Sequence, residues 1–112
     1  MEDTNGIVIA LAGSPNSGKT SLFNFITGSR QHVGNYPGVT VEKKEGVIRL
    51  DDMEATFTDL PGTYSLIPHS ADEAVARNEL VFGRFDAVVI VLDTTKLERS
   101  LYLAAQIIEI GR

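Results

Sequence analysis

The chain has 112 residues, 43% of them hydrophobic, no cysteine, and 10 basic against 15 acidic side chains, for a formal net charge of −5. That size and apolar content suit one small soluble domain with its own core. The negative field argues against a nucleic acid partner, and the missing cysteines exclude disulfides, thiolate metal sites and a cysteine nucleophile. No apolar run approaches the roughly 20 residues of a membrane-spanning helix, and no secretory leader is expected before the first strand.

Ile7-Val8-Ile9-Ala10-Leu11-Ala12 is an unbroken apolar run, the pattern of a strand buried on both faces. It leads into Gly13-Ser14-Pro15-Asn16-Ser17-Gly18-Lys19-Thr20, which matches the phosphate-loop pattern of a glycine, four variable residues, Gly-Lys and a hydroxyl residue. In that arrangement Gly13 and Gly18 allow a tight turn whose amides point at phosphate oxygens, Lys19 supplies a point charge and Thr20 a hydroxyl for Mg²⁺. A helix opening at Lys19 adds its positive end, so a nucleoside triphosphate is the expected ligand. Leu22, Phe23 and Ile26 keep helical spacing, and Gly28 is placed to end the helix.

Residues 29–39 read as a mobile loop, within which Arg30 and His32 are surface residues. Thr40 follows that loop and is the candidate for lending a hydroxyl to Mg²⁺ and an N–H to the terminal phosphate, a contact whose loss would release the loop. Val47-Ile48-Arg49-Leu50 and Ala55-Thr56-Phe57-Thr58 are read as a hairpin across Asp51-Asp52, forming one sheet edge, with Thr58 facing solvent or the edge. Asp59-Leu60-Pro61-Gly62 then stands at a strand end with the Asp-x-x-Gly spacing of GTPases: Asp59 reaches Mg²⁺ through water and the Gly62 N–H senses the γ-phosphate.

Ser70-Ala71-Asp72-Glu73 is a capping box, and Ala71, Ala74, Val75 and Phe82 follow at helical intervals. Residues 86–93 are the second candidate for a fully buried strand. Leu97, Leu101, Ala104 and Ile108 mark the expected inner stripe of a last helix ending at Gly111. Alternating strands and helices imply an α/β fold with a mostly parallel sheet covered on both faces and an edge hairpin, the three-layer arrangement of small P-loop GTPases.

Residues 13–24, 33–46, 59–66 and 97–103 together resemble the cytosolic G domain of the FeoB-type ferrous iron transport proteins, over nearly the whole chain. The resemblance implies a GTPase on the cytoplasmic side of a prokaryotic inner membrane, attached to a membrane-spanning transporter and regulating Fe²⁺ uptake. Its nucleotide contacts then fall on Gly13, Asn16, Ser17, Gly18, Lys19, Thr20, Ser21, Thr40, Asp59 and Gly62. It also implies K⁺ beside the phosphates, held by the Asn16 side chain and the carbonyls of Gly34 and Tyr36, where it would neutralise developing charge much as an arginine finger does.

Many small GTPases orient the attacking water with a glutamine just after Asp-x-x-Gly; Thr63 stands there, so slow intrinsic turnover is expected and no general base is assigned. The histidines, His32 and His69, lack metal-ligand spacing, and no iron site is expected. The chain is read as the N-terminal part of one G domain, stopping before the base-selecting motif; it is then expected to discriminate GTP from ATP poorly and to self-associate through an exposed strand edge. The competing functional classes are a ribosome-assembly type GTPase and a non-hydrolysing nucleotide sensor.

Overall fold

The computed structural model describes residues 6–15 and 17–111. Among them, five strands form one sheet in the order β2-β3-β4-β1-β5. These are β1 (Gly6–Gly13), β2 (Gln31–Asn35), β3 (Glu42–Leu50), β4 (Met53–Asp59) and β5 (Ala87–Val91), with helices α1 (Lys19–Thr27), α2 (Ala71–Phe82) and α3 (Leu97–Glu109). β1 runs parallel to both β4 and β5, whereas β3 is antiparallel to β4 and β2 antiparallel to β3.

The apolar run of β1 occupies the centre, with Ala10 and Leu11 fully buried, as a strand flanked on both sides and covered on both faces requires. Side chains alternate along it, so Ala10 and Ala12 share one face and Leu11 the other. The first face meets Leu80 of α2 and Leu103 and Ile107 of α3 in the main core, joined by Leu60. α1 covers the opposite face over β1, β3 and β4. It lies so close at Gly46 that a Cβ there would stand 2.3 Å from Thr27 Cγ2.

Several sequence expectations are corrected. Residues 31–35, read as part of a loop, form β2 and pair from Gln31↔Gly46 to Asn35↔Glu42. The β3–β4 hairpin is therefore not the edge; β2 is. An edge strand made of Gln-His-Val-Gly-Asn carries little strand propensity, and the polar sequence itself suits an edge that must stay wet. Thr58 is buried at 2% exposure rather than solvent-facing, because β4 lies inside the sheet between β3 and β1 and not at its edge. Its hydroxyl lies 3.5 Å from Glu45 Oε2.

The strand read over residues 86–93 is shorter and sits at the other edge: Val88 and Ile90 reach the core, while Ala87 and Val89 are exposed. In α3 the buried stripe is Ser100, Leu103 and Ile107, one position off the expected one, leaving Leu97, Leu101 and Ile108 in solvent. In α2 the buried residues are Ala76 and Leu80, and Phe82 is exposed. The capping box forms: Ser70 Oγ accepts from the Glu73 N–H at 3.1 Å. Its return bond runs one residue earlier, from the His69 N–H to Glu73 Oε1 at 2.7 Å.

Candidate nucleotide phosphate site

The site assembles where β1 and β4 end side by side. The parallel register carries Leu11 beside Asp59, and the ladder continues past the strand ends, with the Leu60 N–H donating to Leu11 O at 3.1 Å and the Thr63 N–H to Gly13 O at 2.9 Å. These bonds set the Asp59–Gly62 segment against the turn after Gly13. Gly62 approaches so closely that an added Cβ would meet Pro15 N at 2.8 Å. Only glycine fits without displacing backbone.

Gly18 has φ 92 and caps α1 from the left-handed region, which turns the loop back so that Lys19 and Thr20 begin the helix beneath it. Lys19 is buried and its ammonium is paired with Asp59 Oδ1. Thr20 Oγ1 donates to Asp59 Oδ2 at 3.4 Å. Thus the lysine, the helix-opening hydroxyl and the strand-end carboxylate predicted from separate motifs converge on one point.

Two adjoining cavities open there. One of about 220 Å³ is lined by Ser14, Pro15, Gly18, Lys19, Thr20, Ser21 and Gly62. The other, about 190 Å³, shares Lys19, Thr20 and Gly62 and is closed by Val41, Glu42, Lys44, Asp59 and Asp72, among others. Among the described residues, Ser14 Oγ and Ser17 Oγ are buried without a hydrogen-bond partner. Unsatisfied hydroxyls beside a lysine and a helix N-terminus suit an anionic oxygen-rich ligand, which would satisfy them. The Thr20 hydroxyl and the Asp59 carboxylate are the hard oxygen donors that Mg²⁺ prefers.

Other expected residues stand apart. Thr40 is exposed and does not line either cavity; its neighbours Val41 and Glu42 do. Asn16 lies outside the described residues. Gly34 is exposed on β2, and the Tyr36 carbonyl accepts from the Val39 N–H at 3.3 Å, closing a turn with Pro37 and a positive-φ Gly38 at its centre. Tyr36 itself is buried with an unpartnered hydroxyl. Burial first, then the carboxylates of Glu79, Glu45 and Asp59, pushes its pKa well above the tyrosine range. The sequence reading did not assign Ser14, although it lies within the phosphate loop itself, and missed Lys44 and Asp72, which only the fold brings there.

A parallel strand ending in a phosphate-loop turn, with Asp-x-x-Gly on the adjacent strand tip and α/β layers around both, defines the P-loop NTPase fold of G domains. The family described as ferrous iron transport protein B matches residues 7–112, and the chain belongs to it. It is 50% identical over 109 residues to the Fe(2+) transporter FeoB of Escherichia coli and, at the same identity, to that of Salmonella typhimurium, covering 94% of this chain and 14% of each relative. The chain therefore spans about a seventh of the length of these curated relatives. The crystal structure of the G domain of the T. maritima FeoB iron transporter superposes with TM-score 0.89 at 52% identity, covering 94% of this chain and 66% of that one. A GMPPNP form of the T. maritima cytosolic domain gives 0.87 at 53% identity, over 92% and 41%.

Proposed function

We propose that this chain binds a guanine nucleoside triphosphate with Mg²⁺, hydrolyses it slowly, and so regulates ferrous iron uptake by the membrane-spanning part of a FeoB transporter, from the cytoplasmic side. The observation that carries the reading is the convergence of Lys19, Thr20 and Asp59 beneath a turn whose serine hydroxyls lack partners. Guanine is supported by kinship: relatives have been solved in GDP and GMPPNP forms.

In the proposed bound state the N–H groups of residues 13–20 other than Pro15, and Ser21, face the phosphates, and the Lys19 ammonium exchanges Asp59 for phosphate oxygens. The Gly62 N–H meets the terminal phosphate. Thr20 and Asp59 would hold Mg²⁺, joined by Thr40 only if its loop moves in from outside the cavities, and the ion would neutralise charge on the phosphate oxygens. Asn16 and the carbonyls of Gly34 and Tyr36 hold K⁺ in the same reading, and Tyr36 O keeps a second lone pair for it beside the Val39 bond.

Slow turnover is part of this reading, and the surroundings of Thr63 support it. Thr63 is 1% exposed and its hydroxyl donates to Ser65 O at 2.6 Å, so it is not available to orient water. Rates of about 10⁻⁴ to 10⁻² s⁻¹ fit a GTPase without that assistance. The same contact favours, as a second reading, a nucleotide sensor that responds to binding alone. We further propose self-association along β5, whose outer edge has no strand beside it among the described residues and whose Val89 is exposed.

Titration calorimetry with GTP, GDP and ATP, with and without Mg²⁺, tests the binding step. Phosphate release in K⁺ and Na⁺ buffers separates a K⁺-stimulated enzyme from a sensor. Failure of any triphosphate to bind at millimolar concentration would overturn the reading.

A further inference from the structure

The five residues that begin at Gly62 are held from two sides. On one side is the tip of β1, through the Thr63 N–H to Gly13 O bond and the contact of Gly62 with Pro15. On the other is α3. The guanidinium of Arg99 lies 3.8 Å from the Tyr64 ring centroid, with Lys96 Nζ at 6.0 Å from the same ring. Two turns further along, Gln106 Oε1 accepts from the Leu66 N–H at 2.8 Å. Leu66 packs against the core cluster that includes Leu103 and Ile107.

Arg99, Leu103 and Gln106 stand at i, i+4 and i+7, which places them on one face of α3. That face meets the loop at Tyr64 and at Leu66. Between loop and helix, a cleft of about 420 Å³ is lined by Tyr64, Ser65, His69, Glu73, Arg99 and Tyr102, among others. The loop is therefore not packed down continuously; its hold on α3 is concentrated at the Tyr64 ring and at Leu66. Inside the loop, Thr63 bonds to Ser65 and Ser65 in turn to Ile67, a chain of short-range bonds that stiffens the segment.

We propose that Arg99 and Gln106 are positioning residues for Gly62. By fixing the far end of this stiff segment, they set the angle at which the Gly62 N–H faces the cavity of the phosphate loop. α3 then determines how strongly the site distinguishes a nucleoside triphosphate from a diphosphate. The inference rests on the nucleotide reading above and adds residues that lie outside both phosphate cavities. Neither side chain touches phosphate, so diphosphate affinity is set without them.

The test measures affinity of the full chain for GDP and for a non-hydrolysable GTP analogue in wild type, Arg99→Ala, Arg99→Lys, Gln106→Leu and Gln106→Glu. Loss of one fastening is expected to lower analogue affinity roughly two- to tenfold in Gln106→Leu and Arg99→Ala, the range of one hydrogen bond or ring contact, with GDP affinity unchanged. Gln106→Glu keeps an acceptor for the Leu66 N–H and Arg99→Lys keeps a cation over Tyr64, so both are expected to recover part of the loss. A merely structural role would lower both affinities together and would not be rescued. An unchanged ratio of the two affinities in Arg99→Ala and Gln106→Leu overturns the proposal while leaving nucleotide binding intact. Wild type that binds neither nucleotide overturns the functional reading and this inference with it. If Gln106→Leu unfolds, the Arg99 pair gives the same comparison.

Discussion

Lys19 and Asp59 form a buried ion pair under the phosphate loop, their side chains 7% and 5% exposed. The pair joins residues 40 positions apart and ties α1 to the end of β4. It also means that the lysine expected to meet phosphate is neutralised by Asp59 in this structure. Binding must exchange one anion for another, which costs less than stripping a free ammonium of water.

Replacing Lys19 by alanine leaves the Asp59 carboxylate buried without its cation. The loss expected is about 3 kcal/mol of folding stability in urea titration, the low end for breaking a buried pair, together with loss of triphosphate binding. The double variant Lys19→Met/Asp59→Leu is expected to be more stable than Lys19→Ala, because no charge is then left unpaired. A double variant less stable than wild type would show that the pair is a net stabiliser.

Tyr36 offers a pH test. Its folded-state pKa is raised above the ordinary value of 10.0, chiefly by burial. The unfolded chain releases the phenolic proton near pH 10 while the folded chain retains it, so the stability from this group is complete below that pH and falls as pH rises above it. Wild type should therefore lose stability more steeply above pH 10 than Tyr36→Phe, as read from denaturant midpoints. At pH 7 the same variant removes an unpartnered buried hydroxyl and is expected to gain about 1 kcal/mol.

Gly46→Ala places a methyl 2.3 Å from Thr27 Cγ2 and must lift α1 from the sheet. A cost of about 1–3 kcal/mol is expected, with weaker nucleotide binding because Lys19 and Thr20 ride on that helix. Gly34→Ala, with open space around its position on β2, is the contrast and should change stability by less than about 0.5 kcal/mol. Thermal melts of the two variants side by side make the comparison.

Saturating GTP with Mg²⁺ should raise the melting temperature. At a ligand concentration a hundredfold above Kd the gain is about 2.7 kcal/mol, or about 10–20 °C for a domain of this size. Chelation of Mg²⁺ by EDTA is expected to remove much of that shift. A thermal shift assay with no response to nucleotide at any Mg²⁺ concentration would contradict the site.

The local chemistry of the site was legible because it is written in contiguous residues. The phosphate-loop turn, the strand before it, the helix after it and the Asp59–Gly62 segment each carry their meaning within a few positions. The Ser70 cap and the Asp51-Asp52 turn, with Asp51 at φ 55, were readable for the same reason. What failed depended on neighbours far along the chain. β2 has too little apolar pattern to announce itself and exists because β3 offers it partners. In α3 two helical stripes compete, and the one with fewer large side chains, Ser100-Leu103-Ile107, is the one turned inward.

The sequence by itself determined the fold class, the phosphate loop and the family, because glycine placement, a lysine at a helix start and strand-end carboxylates are local demands of the chemistry. Only the tertiary structure decided that Lys19 is held by Asp59, that Thr40 stands away from the cavities while Tyr36 is buried, and that α3 grips the loop after Gly62. Those relationships arise from register between parallel strands and from which helix face meets the core. Such pairings are fixed by packing across the sheet, and no short stretch of residues contains them.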